Sequence, residues 1–276
     1  MDPRTAGVAA LFDRVSDTYD AVEVPWFGPI AAALVDELAP RAGERALDVG
    51  CGRGAVLRLL ADAVGTDGLA VGVDVAPGMV RRTADDLAHL PQVRVHVGDA
   101  AAPAGAPGSF DVVASSLVLF FLPQPAAALQ AWVALLRPGG RLGVTTFGPQ
   151  DDTWRQVDAL FEPYLPQQVL DARTSGRTGP FGSDEGMEQL LRDAGLVDVR
   201  TRVVEQEAVF DDAAHWHRWT RSHAQRGMWE AVPADRRDDV LQEAGALLDG
   251  ARRDDGRLVL RQAVRTTVGR AAQPDR

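Results

Sequence analysis

The stretch Glu44-Arg-Ala-Leu-Asp-Val-Gly-Cys-Gly-Arg-Gly54 decides the fold. Its residues 46–49 form a short, mostly apolar run, as expected of a strand buried on both faces. Three glycines then alternate with other residues, and the segment 55–63 has the composition and spacing of a helix. Such a strand, turn and helix start leave backbone N–H groups unpaired at the first helical turn, and the missing Cβ atoms let a ligand approach them. We therefore predict a cofactor-binding turn at the carboxyl end of this strand.

Two kinds of cofactor fit this turn. Gly50, Gly52 and Ala55 match the dinucleotide pattern G-x-G-x-x-G/A, and Asp74 follows at nearly the spacing of a ribose-binding acid. Asp48, however, would repel a pyrophosphate in a poorly solvated pocket and would favour a ligand that carries an ammonium or sulfonium group. The turn therefore fits a zwitterionic amino-acid cofactor better than NAD. A glycine-rich turn without any ligand is the third interpretation.

Composition limits the class of protein. The 276 residues suit one α/β domain with additions, and the net charge of −10 argues against nucleic-acid and anionic-membrane partners. All 29 basic residues are Arg, which excludes Schiff-base chemistry on lysine. A single cysteine, Cys51, excludes an internal disulfide, and no cluster of His, Asp or Glu has the spacing of metal ligands, so we expect no metal. The same cysteine usage and the absence of a signal-peptide pattern predict a cytoplasmic protein. We expect it to be a monomer or a homodimer.

The order of predicted elements indicates the fold class. Strands alternate with helices over residues 44–147, which predicts a parallel, doubly wound α/β sheet. Two short helices precede this region. After it, a strand is predicted over 196–210, helices over 211–229 and 234–249, and a last strand within 257–268.

Five motifs at the ends of these elements together resemble the class I S-adenosylmethionine-dependent methyltransferases. The motifs are Leu47–Gly54, Val71–Asp74, Val97–Asp99, Phe110–Val113 and Leu135–Gly140. The opening Phe12–Asp20 is similar to the N-terminal lid helix of the branch that methylates quinones and secondary metabolites. The resemblance implies a Rossmann-like, seven-stranded, mostly parallel sheet whose last strand is antiparallel. It also implies a helical lid over 1–42 and a methyltransferase domain over 43–276, with helical insertions at about 150–182 and 211–250 that cover an acceptor pocket.

The resemblance also implies a cofactor and its contacts. The cofactor would be S-adenosyl-L-methionine, with S-adenosyl-L-homocysteine as its product. Asp48 would hold the ammonium group, Asp74 would take both ribose hydroxyls, and Tyr19 would close over the carboxylate from the lid. The remaining contacts are expected from Gly50, Cys51, Gly52, Val75, Met79, Asp99, Ala100 and Ser115.

The predicted helix over 211–229 carries the candidate acceptor residues. Trp216, Trp219 and His223 fall at i, i+3 and i+7, so they share one helix face, with Arg226 near its continuation. Tryptophans beside a titratable group suit a flat, partly polar acceptor, but a helix that packs its tryptophans on the sheet explains them equally well. We expect catalysis from His223, with His215 as a weaker candidate. The expected acceptor-binding residues are Trp26, Phe27, Phe120, Trp216, Trp219 and Arg226.

The predicted function is methyl transfer to O, N or C of a small-molecule acceptor by in-line displacement, in secondary-metabolite or antibiotic biosynthesis. A general base would be optional, because the cofactor is an activated donor. Ser115-Ser116-Leu117 stands where nucleic-acid amino methyltransferases have Asn/Asp-Pro-Pro-Tyr. This difference argues against a nucleobase as the methyl acceptor. Three alternatives remain open at this point: a protein of this fold with a non-methylating reaction such as cyclisation, an NAD-dependent oxidoreductase, and a peptide or protein methyltransferase.

Overall fold

Seven strands form one mixed sheet in the computed structural model, which describes residues 3–20, 22–166 and 179–273. The strand order is β3-β2-β1-β4-β5-β7-β6, and only β7 runs antiparallel to its neighbours. The strands are β1 (Arg45–Val49), β2 (Leu69–Asp74), β3 (Val93–Val97), β4 (Phe110–Ser116), β5 (Leu136–Gln150), β6 (Leu196–Phe210) and β7 (Leu258–Ala271). The predicted seven-stranded, doubly wound sheet with an antiparallel last strand is confirmed.

Helices cover both faces of this sheet. Those described are α1 (Pro3–Val15), α2 (Phe27–Leu38), α3 (Ala55–Val64), α4 (Pro77–Asp86), α5 (Pro125–Ala134), α6 (Asp152–Ala159), α7 (Asp184–Asp193), α8 (Ala213–Ser222), α9 (Arg226–Ala231) and α10 (Arg237–Leu248). Alternate residues of β1 point to opposite faces: Ala46 packs with α2 and α3, while Leu47 and Val49 pack with α5 and α7. The same alternation places Asp48 on the face of α3, beside the glycine turn.

The predicted single helix over 211–229 is wrong. The chain leaves the helical conformation at His223, whose φ of −137° and ψ of −159° are extended, and α9 begins three residues later. The hydroxyls of Thr220 and Ser222 each donate to the carbonyl three residues earlier, which offers that carbonyl an alternative to the helical ladder. His223 therefore lies at a break between two helices and does not continue the face of Trp216 and Trp219.

Two smaller differences concern the ends of the sheet. Strand β5, which the sequence predicts over 141–147, begins at Leu136 and includes a register shift opposite β4. Strand β7 continues three residues beyond the predicted range. Residues 167–178, within the insertion predicted at about 150–182, lie outside the described residues.

The N-terminal segment lies over the carboxyl ends of the strands. Asp13 accepts a hydrogen bond from the N–H of Gly78 in α4, and Arg53 donates to the carbonyl of Ser16 at 2.8 Å. Helix α2, in contrast, is part of the sheet's own core, because it buries Leu34 and Leu38. The domain boundary at residue 42 stays a prediction. None of the helices in the described ranges is long and apolar enough to cross a membrane.

Candidate functional site

The glycine turn after β1 adopts the backbone conformation that glycine permits. Gly50 has φ +74°, and a Cβ atom there would lie 2.4 Å from Cγ2 of Val118. Gly52 has φ +49°, and a Cβ atom there would meet nothing within 4 Å. The first glycine thus allows close packing of the chain after β4, whereas the second borders open space. Such an open backbone cradle is what a ligand that lies against the turn requires.

Asp48 is the most unusual titratable group at this turn. Its side chain is 1% exposed, and its Oδ2 has no hydrogen-bond partner among the described residues. Burial raises the pKa of Asp48 to about 8, the nearby Asp74 adds to the rise, and the N–H of Leu57 offsets part of it. A cationic group placed here would satisfy the oxygen and stabilise the charge. The arrangement therefore fits a cofactor with an ammonium group and disfavours a pyrophosphate.

Asp74 ends β2 directly beside the turn. Its Oδ2 accepts from the N–H of Gly52 at 2.8 Å, and its Oδ1 accepts from the N–H of Ala76 at 2.9 Å. Burial raises the pKa of this carboxyl, and these N–H bonds counteract the rise. Two carboxylate oxygens offer about four acceptor positions, so both retain capacity for hydroxyl groups of a ligand. Asp74 is thus positioned as an acceptor of paired hydroxyls.

The other predicted cofactor residues also gather at the carboxyl edge of the sheet. Asp99 follows β3 and accepts from the N–H of Ala101 at 2.8 Å. The carbonyl of the next residue, Ala100, accepts from Trp132 Nε1 at 2.7 Å. The Ser115 hydroxyl already donates to the carbonyl of Val49 at 2.8 Å, so toward a ligand it can only accept.

Three further predicted cofactor residues lie around the turn and the start of α4. Met79 is fully buried against Val15 of the N-terminal segment, and Cys51 is buried at the turn. Val75, between β2 and α4, is half-buried. The structure brings all the predicted cofactor residues except Tyr19 to the ends of β1–β4 and the start of α4.

Tyr19 connects the cofactor turn with a neighbouring cavity. Its ring stacks on Phe27 with centroids 4.7 Å apart and an interplanar angle of 27°. Desolvation of the hydroxyl, together with the carboxylates of Asp20 and Asp74, raises the pKa of Tyr19 far above its usual value. Tyr19 is therefore a neutral phenol that lines the cavity and interacts electrostatically with Asp74 of the cofactor turn.

The cavity has a volume of about 690 Å³ and a mostly apolar wall that is rich in aromatic side chains. It lies between the N-terminal segment, the chain after β4, the end of β5 and helices α6, α8 and α9. The segment 117–121 contributes to its wall, and Val118 of this segment packs on Gly50 of the cofactor turn. The aromatic residues that line it are Phe12, Tyr19, Trp26, Phe27, Phe120, Phe121, Phe147, Trp154, Phe181 and Trp219. A cavity of this size and character suits a flat organic molecule.

Four of the six predicted acceptor-binding residues line this cavity, and two do not. Trp26, Phe27, Phe120 and Trp219 are in its wall. Trp216 instead packs in the core, with its ring 5.9 Å from that of Trp229. Arg226 pairs with Glu230 at 2.8 Å on α9 and is not part of the described cavity wall. The break at His223 separates Arg226 from the two tryptophans of α8, with which the assumption of one continuous helix had grouped it.

The two candidate catalytic histidines are also separated. His223 lines the cavity, is 7% exposed, and lies edge-on to Phe27 and Trp219, with ring centroids 5.9 and 4.4 Å away. Burial lowers the pKa of His223 to about 3, so the ring is neutral. His215 lies at the start of α8 outside the described cavity wall, where its Nδ1 accepts from the N–H of Asp211 at 3.2 Å.

Sequence reasoning missed the polar side of the cavity wall. Gln150 Nε2 donates to Asp158 Oδ2 at 3.0 Å, and Gln262 Nε2 donates to the carbonyl of Gly148 at 2.6 Å. Thr146, Gly148 and Gln150 all line the cavity from β5. Because alternate residues of a strand share one face, the spacing of these three residues could have predicted that they lie on the same side of β5. No group of His, Cys, Asp and Glu in the described ranges could hold a metal ion.

Comparisons with known proteins agree with this geometry. A family profile described as a methyltransferase domain matches residues 46–140. The chain is 40% identical over 245 residues to nocamycin O-methyltransferase of Saccharothrix syringae, an alignment that covers 84% of this chain and 88% of that protein. It is 37% identical to aklanonic acid methyltransferase of a Streptomyces species, with 59% of this chain and 76% of the relative covered. The fold is similar to that of the YcgJ protein of Bacillus, with a TM-score of 0.60, 15% identity, and 89% and 99% of the two chains covered.

Proposed function

Since the chain belongs to the class I S-adenosylmethionine-dependent methyltransferases, we propose that it methylates an oxygen of a small, planar secondary metabolite held in the aromatic cavity. The observation that carries this proposal is the position of the cavity. Its wall includes the segment 117–121, which packs directly on the cofactor turn through Val118 and Gly50. An acceptor in the cavity would therefore lie next to a cofactor bound at the turn.

The cofactor is S-adenosylmethionine, which when bound supplies a methyl group on a sulfonium sulfur that is already activated for displacement. Asp48 would hold its ammonium group, because that carboxylate has a buried oxygen without a partner in the described structure. Each carboxylate oxygen of Asp74 already accepts one backbone N–H and can accept one more hydrogen bond. Asp74 would therefore accept hydrogen bonds from the ribose hydroxyls. The open space beside Gly52 leaves room for the methionine part.

The protein's contribution to the reaction is chiefly positional. Two reactants held in a productive geometry can account for roughly 7–11 kcal/mol of the barrier in favourable cases. The aromatic wall of the cavity would orient a flat acceptor, and the N-terminal segment would exclude water from it. A neutral His223 with a pKa of about 3 is a poor general base at neutral pH, which favours an acceptor oxygen that is ionised in solution or acidic.

Oxygen as the methylated atom is favoured by the relatives. One is named as an O-methyltransferase, and another is named for an acid, aklanonic acid. Both names are those of methyltransferases, so the cyclisation alternative has no support among them. The mostly apolar wall of the cavity also suits a small organic acceptor better than a polar peptide segment.

The test is methyl transfer from cofactor with a labelled methyl group to a panel of aromatic polyketide acids, phenols and quinols. We expect labelled product and an equal amount of S-adenosylhomocysteine with at least one member, and no label with the Asp74→Ala variant. Conversion of an acceptor without incorporation of label would instead indicate a non-methylating reaction. Absence of S-adenosylmethionine binding to folded protein would refute the cofactor site itself.

A further inference from the structure

Three polar side-chain atoms of the cavity wall have no hydrogen-bond partner in the described structure. They are Thr146 Oγ1, His223 Nε2 and Gln225 Oε1, and all three are buried. The large majority of buried side-chain polar atoms in proteins have a hydrogen-bond partner, so an unpaired one calls for an explanation. Because all three belong to residues that line one cavity, they are the candidate hydrogen-bonding partners for polar atoms of a molecule bound there.

The hydrogen bond at the other ring nitrogen assigns the proton of His223. The backbone N–H of Gln225 donates to His223 Nδ1 at 3.4 Å, so Nδ1 carries the lone pair. A neutral imidazole has one protonated nitrogen, and here it is Nε2. His223 therefore offers a donor, not a lone pair, at its unpaired atom.

The position of this ring is determined by its surroundings. The extended backbone at the break between α8 and α9 directs His223 away from the helix face. Phe27 of α2 and Trp219 of α8 contact the ring edge-on. Both neighbours also line the cavity, so the imidazole is held in the wall between two aromatic side chains.

We infer that His223 is an acceptor-binding residue whose Nε2–H donates a hydrogen bond to a carbonyl-type oxygen of a planar polycyclic substrate. This inference rests on the proposed function and adds to it the substrate class, which is a flat polycycle that bears a ring ketone or quinone-like oxygen. Thr146, from β5, provides a second hydrogen-bonding group to the same molecule. The role differs from the general base predicted from sequence, because a protonated Nε2 of low basicity does not remove a proton.

The inference can be tested without cofactor and without turnover, by equilibrium dialysis of two matched tricyclic compounds. Xanthone carries a ring carbonyl where xanthene carries a methylene group, and the two are otherwise the same size. We expect the wild-type protein to bind xanthone roughly fivefold or more tightly than xanthene, the ratio that one net hydrogen bond gives. His223→Leu should abolish this preference, and His223→Gln, which retains an N–H donor, should restore at least part of it.

The controls separate binding from folding. His223→Leu should stay folded with a melting temperature within a few degrees of wild type, because it removes the unpaired Nε2 but also the acceptor of the Gln225 N–H. His217→Leu, in α8 and outside the described cavity wall, should leave the xanthone preference unchanged. Equal wild-type affinities for the two compounds, a preference that survives His223→Leu, or a Gln variant no better than the Leu variant would each overturn the inference. A xanthone preference without any methylated product would leave it standing and remove the proposed activity instead.

Discussion

The carboxylate of Asp13 accepts a hydrogen bond from the backbone N–H of Gly78 at the start of α4. Helix α4 has no side-chain cap of its own, so the N-terminal segment supplies the acceptor that its first turn lacks. A Cβ atom on Gly78 would lie 2.5 Å from Ser16 Oγ and 2.7 Å from Asp13 Oδ1. The absence of a side chain at Gly78 is therefore a condition for the close approach of α1.

We expect Gly78→Ala to displace α1 without unfolding the sheet. The added methyl group clashes with two side chains of the N-terminal segment, while the helical backbone of α4 accommodates alanine. Hydrogen exchange over residues 3–20 should accelerate several-fold, with exchange in β1 and β4 unchanged. Gly28→Ala is the matched control, because a Cβ atom there meets nothing within 4 Å. Unchanged exchange over 3–20 in the Gly78 variant would show that this contact does not hold α1.

Asp48→Asn is expected to stabilise the ligand-free protein while it weakens cofactor binding. The folded-state pKa of about 8 lies above the ordinary value of 3.8, so the stability that protonated Asp48 contributes is present at low pH and is lost as the pH rises toward 8. Each pKa unit corresponds to about 1.4 kcal/mol. We expect the free energy of unfolding of the variant to exceed that of wild type by roughly 1–4 kcal/mol at pH 7.5 and by less at pH 5. Urea denaturation at the two pH values measures this. A variant less stable than wild type at pH 7.5 would contradict it.

Binding of S-adenosylmethionine should release a proton from Asp48. At pH 6.5 the free carboxyl is largely protonated, whereas the ammonium group of the cofactor favours its ionised form. Calorimetry in two buffers of different ionisation enthalpy should show close to one proton released, and affinity should rise up to about tenfold per pH unit between pH 5.5 and 7. 5′-Methylthioadenosine, which lacks the amino-acid part, is the control ligand and should release none. If both ligands release the same number of protons on binding, the released proton does not come from Asp48.

Gly50 and Gly52 should differ in what an added methyl group does. At Gly50 it meets Val118 and adds overpacking to the strain of a positive φ, so Gly50→Ala should destabilise the fold by roughly 2–4 kcal/mol. At Gly52 it enters open space, so Gly52→Ala should cost about 1–2 kcal/mol of stability but weaken S-adenosylmethionine binding at least tenfold. Gly43→Ala, with φ +81° and open surroundings, is the control for strain alone. Normal cofactor affinity in Gly52→Ala would place the cofactor away from this residue.

The sheet and the cofactor turn are predictable because their signals are local. The apolar run of β1, the three glycines and the helix after them follow one another within about twenty residues, and the same unit recurs along the chain. The break at His223 has no comparably strong signal. Thr220 and Ser222 compete for helix carbonyls through their hydroxyls, but such residues also occur inside helices, so helical spacing suggests one long helix. Which of the two tryptophans of α8 faces the cavity depends on the packing of distant segments, since both precede the break.

Trp216 and Trp219 provide the sharpest test of the cavity. Both are buried in α8, but Trp219 lines the cavity beside His223, whereas Trp216 packs on Trp229 in the core. Trp219→Phe should weaken xanthone binding several-fold, because it removes aromatic surface from the wall. Trp216→Phe should lower stability by roughly 1–3 kcal/mol through the void it leaves and should not change that affinity. Dialysis and thermal unfolding of both variants measure the two effects. If Trp216→Phe weakens xanthone binding as much as Trp219→Phe does, the acceptor lies deeper than this cavity, between α8 and α9.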